Sequence, residues 1–411
     1  MKPLVEAQRA VLAAMTPLPS EAVDLEAALG LVVAADVVAP HNVPPFANSG
    51  MDGFAVRAAD VASAPATLTV IGDLAAGGVP TDPVGRGQAI RIMTGAPMPA
   101  GADAVVMVED TELTGAEVRV LAPAAVGDHV RPAGGDVGAG TTVFEAGVRL
   151  TPFHLGVLAS LGVTHPVVGR RPTVAILSTG DEVMPPETAT LRPGAIRDAN
   201  RPLLAAALRE LGVAVVDLGI VPDDARLLRS VLAEAATSAD AVLTSGGVSM
   251  GEHDLVKRVL ADIGSIEFWQ VAMQPARPFA FGFLGTTPLF GLPGNPVSVS
   301  VAFEQFVRPA LLRRMGATRL FRPRSAATLV EPVSTNPDKT VFLRVTARPR
   351  AGGWAVSAVR RQASNMLSGM AGADALAVIP VGTGDVAAGD VVEVEWFRSL
   401  ETRTMEEGLG G

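Results

Sequence analysis

The 411-residue chain contains neither cysteine nor tyrosine. Without cysteine there is no disulfide framework, no thiolate nucleophile and no cysteine-based metal site, a composition that fits the cytosol. Aromatic residues supply only 4% of the chain against 48% for hydrophobic residues as a whole, so the interior must be packed mainly with Ala, Val and Leu. Basic charge is outweighed by acidic charge. The formal net charge of -9 argues against a nucleic-acid partner, which needs a basic surface to neutralise phosphates, and directs attention to a small-molecule ligand. An export signal is missing as well, because Lys2, Glu6 and Arg9 interrupt any apolar core near Met1. Long hydrophobic runs are few. Residues 150–169 and 278–303 lack Asp, Glu, Lys and Arg, but Gly and Pro break both, and the second reads as strands plus a turn. The expectation is a cytoplasmic protein that neither spans a membrane nor binds nucleic acid.

What is present is turn-forming and aliphatic material, with 43 Gly and 32 Pro. The length exceeds one core and suggests about two to four domains. Apolar spacing predicts short helices over 5–15 and 21–29, the second stopped by Gly30. Thr151 followed by Pro152 predicts a capped helix over 151–161. Between these lie β-prone runs at 66–71, 89–93 and 104–108, read as an insertion at 44–137 into a discontinuous helical and β linker domain formed by 1–43 and 138–171.

Residues 172–317 alternate apolar strands (173–177, 213–221, 241–244, 266–272, 288–292) with helical segments (201–211, 224–236, 253–263, 297–314). That alternation is the pattern of an α/β domain with a doubly wound, mostly parallel sheet. Ligands in such sheets bind beyond the carboxyl ends of the strands. Strand patterns at 326–329, 340–346, 355–359, 375–379 and 391–394 then predict a small C-terminal β-barrel over 318–398, with 399–411 a loose tail.

The strand-end loops of the α/β segment share a chemistry. They are Ser178-Thr179-Gly180-Asp181-Glu182, Thr244-Ser245-Gly246-Gly247-Val248-Ser249, Gly251-Glu252-His253-Asp254 and Gly291-Leu292-Pro293-Gly294-Asn295-Pro296-Val297-Ser298. Glycine lets backbone amides approach an anion, hydroxyls add donors, and a following helix contributes its positive end. Together they describe a phosphate or pyrophosphate cradle, although any one of them alone could be an ordinary turn. Glu182, Asp223 and Asp254 would repel that phosphate without a hard cation between them, which points to Mg²⁺. Asp223 could equally be a helix cap and Asp254 a first-turn acid. Neither a Walker pattern nor a dinucleotide fingerprint occurs at these loops. In the insertion, polar turns at Asp52-Gly53, Met93-Thr94-Gly95 and Arg131 to Asp136 stand among apolar residues, and Arg131 and Asp136 could simply satisfy one another. His41, His129, His154, His165 and His253 show no metal-ligand spacing.

The strings PPFANSGMDGFAVR, IRIMTGAPMPAGADAVV, STGDEV, TSGGVSMGEHD and GLPGNPVS, in this order over nearly the whole chain, resemble MoeA proteins and the E domain of gephyrin. The resemblance implies a molybdopterin-binding type of α/β domain and an elongated homodimer whose active cleft takes its inserted domain from the second subunit. It implies a molybdopterin molybdotransferase that converts adenylylated molybdopterin and molybdate to molybdenum cofactor and AMP with Mg²⁺. By the same resemblance Asp52, Thr94, Asp136, Glu182, Asp223 and Asp254 fall on positions tied to activity; Asp254 and Glu182 are the expected metal ligands on the charge argument above. Ser178, Thr179, Gly180, Ser245, Gly246, Gly247, Val248, Ser249, Pro293, Gly294, Asn295, Pro296 and Ser298 would hold the nucleotide and pyrophosphate. The sequence departs from its relatives at Ala47, where many have Asp, at Phe54, where many have Tyr, and at Gln270 and Gln274, where well-known relatives carry lysine. With the amide of Gln274 in place of an ammonium, Arg277 and Arg344 are the candidate cations. Rival readings are a molybdopterin adenylyltransferase, for which Asp198-Ala199-Asn200 is the comparable loop, and a non-catalytic pterin carrier or scaffold. Molybdopterin adenylyltransferase and recipient molybdoenzymes are the expected macromolecular contacts.

Overall fold

The computed structural model describes residues 1–247 and 255–397. The start of the helix expected at 253 and the tail 399–411 lie outside the described residues. The first helix, Leu4–Ala13, forms because Leu4, Ala7 and Val11 recur on one face, and all three are buried. The helix expected over 21–29 does not form. Ser20–Ala22 is a strand paired with Val167–Gly169, and Leu25–Ala28 is a single 3-10 turn in which only Ala28 is buried. A backbone partner supplied by the returning chain outweighs a short amphipathic pattern that has no face to bury it against. The helix expected at 151–161 is Pro152–Ser160, where His154 Nδ1 accepts from the Thr151 N–H at 2.9 Å.

Inside the insertion a six-stranded sheet runs in the order Ala104–Met107, Gly53–Val56, Gln88–Ile92, Ala66–Leu74, Glu117–Val120, Thr111–Thr114. Alternation along Gly53–Val56 sends Phe54 and Val56 to one apolar cluster and Ala55 to another on the opposite face. The chain enters and leaves this region side by side, with Val43 bridged to Val137.

The α/β sheet has the order Ala214–Val221, Thr173–Thr179, Ala241–Ser245, Thr287–Leu292, Pro278–Leu284, Ser265–Gln270. Its first four strands are parallel and its last two join antiparallel. The antiparallel half follows from chain length: the turn at 285–286 is far too short for a crossover. Strand Thr173–Thr179 is buried on both faces, Val174 and Ile176 in one cluster and Ala175 and Leu177 in the other, as a central parallel strand requires.

The helix expected over 297–314 is divided into Pro296–Ala302, a π turn at Phe303–Val307, and Arg308–Arg314. Pro309 is the cause, since it has no N–H to give residue 305 and its ring crowds that carbonyl. Gln8 Nε2 of the first helix takes over, donating to the Gln305 carbonyl at 3.2 Å. At the same turn Glu304 accepts two bonds from Arg322, at 2.9 and 3.0 Å, anchoring the start of the C-terminal region.

That region closes into a barrel: Thr340–Arg350, Gly353–Ala358, Arg324–Leu329, Val391–Trp396 and Ala375–Ile379, which pairs back onto Thr340–Arg350. Leu329, Val345, Val356, Ala377 and Val394 fill it. The short strand Met273–Gln274 pairs in parallel with Thr340 and Val341 and so ties the barrel to the α/β region.

Candidate active site

The parallel strands end in step. Ser178 is level with Ser245, and Ser245 with Leu292, so their loops emerge at one edge of the sheet. Backbone and side chains then fasten loop to loop. The Gly246 N–H donates to the Leu292 carbonyl at 3.1 Å. Asn200 Nδ2 donates to Ser245 Oγ at 2.8 Å and to the Gly294 carbonyl at 2.7 Å. Behind them Ser178 Oγ donates at 3.1 Å to the buried Asp198, which Arg201 also holds. Ser178 and Ser245 are therefore wall supports rather than lining groups. Gly247 has φ +69, and a Cβ there would lie 2.2 Å from Val256 Cγ2, so both conformation and space demand glycine.

Between these loops and the barrel lies a cleft of about 1090 Å³. Its volume is at the upper end for small-molecule sites and suits an extended nucleotide-bearing ligand. Thr179, Gly180, Glu182 and Asp223 line one side. Gly246, Gly247, Pro293, Gly294, Asn295 and Ser298 line the floor, while Gln274 and Arg277 face them from the barrel side. Pro296 begins the following helix. Sequence reasoning missed Arg258, Lys339, Gln362 and Ser364, which also line the cleft. Arg258 lies on the helix Leu255–Ile263 and Lys339, Gln362 and Ser364 belong to the barrel region, and no local motif marks them.

Asp223 is not the helix cap. Asp224 takes that role, accepting from the N–H groups of Arg226 and Leu227 at 2.8 and 3.1 Å, and these two bonds, with Leu227 contributing most, lower its carboxyl pKa. Asp223 is left on the cleft wall, with its N–H bonded to Asp181 Oδ1 at 3.0 Å. The Glu182 carboxylate folds back over Gly180, 2.7 Å from where a Cβ would stand.

Two expected cations prove to be differently employed. Arg277 lines the cleft and is exposed. Arg344 is 1% exposed, and its Nη1 donates to the carbonyls of Ala363 and Met366 at 3.2 and 3.3 Å while Nε donates to Gln362 Oε1 at 3.3 Å. Burial lowers its pKa from the ordinary guanidinium value. Arg344 therefore shapes the loop that carries Gln362 and Ser364 and does not itself enter the cleft. Gln270 is also absent from the lining, with its carbonyl bonded to the Lys2 N–H at 2.7 Å.

Asp52, Thr94 and Asp136 sit in the insertion and do not line this cleft. Asp52 Oδ1 accepts from both the N–H and the hydroxyl of Thr94 at 2.7 Å, and these bonds hold its carboxyl below the ordinary value, with Arg91 adding a weaker pull. Asp136 is exposed, and no ion pair joins it to Arg131, whose Nη2 reaches the Gly50 carbonyl at 3.4 Å. Val248, Ser249 and Asp254 lie outside the described residues. Among the described residues no cluster of three His, Asp or Glu side chains converges on a metal position, and no helix is long and apolar enough to cross a membrane.

The whole arrangement has known counterparts. Models of the MoeA N-terminal region (domain I and II), of a "Probable molybdopterin binding domain" and of the MoeA C-terminal region (domain IV) match residues 2–162, 175–313 and 326–397. Molybdopterin molybdenumtransferase 2 of Mycobacterium tuberculosis is 40% identical over 404 residues, covering 96% of this chain and 99% of that protein. The molybdopterin molybdenumtransferase of Haemophilus influenzae is 36% identical, covering 93% and 95%. The crystal structure of the molybdopterin biosynthesis moeA protein from Pyrococcus horikoshii OT3 superposes with a TM-score of 0.84 at 29% identity, covering 97% of this chain and 100% of that one. With its loops, barrel and insertion matched end to end by these proteins, the chain belongs to the MoeA family of molybdopterin molybdenumtransferases.

Proposed function

We propose that this protein transfers molybdate to adenylylated molybdopterin, releasing AMP and leaving molybdenum cofactor. The observation that carries the reading is the single cleft in which three glycine-bearing strand-end loops face a basic and amide-bearing barrel wall. The names of the molybdenumtransferase relatives supply the substrate class. In this assignment the backbone amides of Gly247 and Gly294 hold the phosphates, with Thr179, Asn295 and Ser298 adding polar side chains. The wall formed by Gln274 and Arg277 receives anionic groups at the other side.

Magnesium fits the donor set. Mg²⁺ commonly binds through one or two carboxylates, substrate phosphate and water, and Glu182 and Asp223 offer carboxylates on one cleft wall. Asp254 is assigned as a further ligand together with Glu182. When bound, the ion offsets negative charge on the phosphoanhydride whose cleavage releases AMP. Asp254→Asn should then reduce turnover far more than pterin-nucleotide affinity, and full turnover in that variant would remove the metal role.

We assign Asp52, Thr94 and Asp136 to the cleft of a second copy in a homodimer, because they do not line the cleft of their own chain. Mixing Asp52→Asn protein with Glu182→Gln protein tests this, since subunit exchange should restore one intact cleft. Activity that stays absent after demonstrated exchange would sink the shared cleft.

The decisive assay incubates the protein with adenylylated molybdopterin, Mg²⁺ and graded molybdate, following AMP release and reconstitution of a cofactor-free molybdenum enzyme. Molybdate-dependent AMP release coupled to reconstitution is expected. Tight binding without turnover would favour the carrier instead, and ATP-dependent adenylylation of the pterin would favour the adenylyltransferase.

A further inference from the structure

Two of the part-buried arginines are fully matched by carboxylates: Arg170 pairs with Asp240, and Arg201 holds both Asp198 and Asp217. Away from the cleft, one enclosed group reverses that proportion. Arg149 stands just before the helix Pro152–Ser160, Arg308 opens the helix after the π turn, and Arg322 precedes the barrel strand Arg324–Leu329. Together with Glu210 and Glu304 they line a cavity of about 30 Å³. Three guanidiniums thus meet two carboxylates, and of these Glu210 is exposed to solvent while the Glu304 side chain is only 11% exposed. Glu304 is already engaged. It accepts from Arg322 Nε and Nη2 at 2.9 and 3.0 Å, whereas Arg308 Nε stands farther off, at 3.8 Å.

The energetics follow that geometry. Burial works against the charge of Arg322, but its bonds to Glu304 prevail and raise its pKa above the ordinary guanidinium value. Arg308 has no such return: burial, and then repulsion by Arg322, bring its pKa down to about 10. Burial and the same neighbour lower Arg149 as well. Nearby carbonyls are neutral and do not remove the surplus charge. Arg149 donates through Nε to the Gly30 carbonyl and through Nη2 to the Leu211 carbonyl, each at 3.0 Å, and Arg308 Nη1 donates to the Leu320 carbonyl at 3.3 Å. These bonds leave Arg149 Nη1, Arg308 Nη2 and Arg322 Nη1 without a protein acceptor among the described residues. An enclosed charge without a counter-charge is costly, so the joint calls for one more anion. The cavity exceeds the roughly 10–15 Å³ that one water needs, yet it is too small for a tetrahedral oxyanion or an organic acid.

We propose that this joint binds one small monovalent anion of the halide class, which balances the surplus guanidinium charge and ties together the three segments that carry Arg149, Arg308 and Arg322. A halide suits the place because it is close to water in size and accepts from several donors without a fixed geometry. The site is independent of the molybdenum-transfer reading. To test it, the full-length protein is dialysed into sodium gluconate and titrated with sodium chloride or sodium bromide at constant ionic strength, with melting temperature as the readout. A saturable rise of about 2 °C or more is expected in both halides. Arg308→Gln, which removes one charge, should move the half-saturating halide concentration upward by roughly tenfold or more. Crystals grown without halide and soaked in bromide should show an anomalous peak between the three guanidiniums, a result that decides the matter even where Arg308→Gln fails to fold. Density at that place without anomalous signal identifies a water and overturns the proposal. A melting temperature that does not respond to halide overturns it too, since an anomalous peak would then mark an adventitious ion only.

Discussion

Arg344 lies on the long barrel strand Thr340–Arg350, and Arg277 follows the short strand Met273–Gln274 that pairs with it, yet the two guanidiniums do opposite work. Arg344 is enclosed, with backbone carbonyls and one amide oxygen consuming its donors. Arg277 stands in the cleft with its charge unpaired among the described residues. A buried cation must spend its donors on the protein, because leaving them unmet costs about 1–3 kcal/mol each. A cation at a cleft wall can leave them to water until a ligand arrives. Charge alone therefore does not mark a binding residue; enclosure decides.

The largest test of this contrast is Arg344→Ala. It opens a cavity and strips partners from Gln362, Ala363 and Met366, so urea denaturation should show a loss of about 3–5 kcal/mol. A loss below about 1 kcal/mol would mean that its bonds are not structural. Gly247→Ala comes next. Left-handed geometry and the approach to Val256 should together cost about 2–4 kcal/mol, whereas Gly294→Ala, where an added Cβ meets nothing within 4 Å, should cost less than about 1 kcal/mol. Equal losses at the two glycines would deny that Val256 sets the shape of the loop. Arg277→Ala should then move stability by no more than about 0.5 kcal/mol while weakening anionic substrate about tenfold or more, measured by calorimetry. The smallest effect belongs to the insertion. Thr94→Val removes the hydroxyl bond but keeps the backbone N–H that contributes most, so it should raise the Asp52 carboxyl only part of the way toward its ordinary 3.8, read by NMR titration. Because the folded value is depressed, the Asp52–Thr94 bonds stabilise above the ordinary pKa and are lost as pH falls through the folded one. The acid arm of the stability profile should flatten in the variant.

Some elements were plain from local pattern. Thr151-Pro152 marked a helix start, and the strands at 326–329, 340–346, 355–359, 375–379 and 391–394 all appear within the closed barrel. The helix expected over 21–29 failed because pairing with Val167–Gly169 is a long-range event that periodicity cannot register. The break at the π turn was signalled by Pro309, but its repair by Gln8, 297 residues away, was not. In the cleft the glycine-bearing loops could be named from residue type. Lys339, Gln362 and Ser364 could not, because the docking of the barrel onto the α/β region puts them there.

The sequence by itself determined the features that depend on near neighbours: where glycine permits a left-handed turn, where alternation makes a strand with one buried face, and where a capping residue starts a helix. The tertiary structure alone decided which charged groups are enclosed and which face the cleft, since that depends on what distant segment packs against each one. Arg344 and Lys339 stand five positions apart on the same stretch of chain, and the closure of the barrel buries the first while its contact with the Met273–Gln274 strand leaves the second beside the cleft.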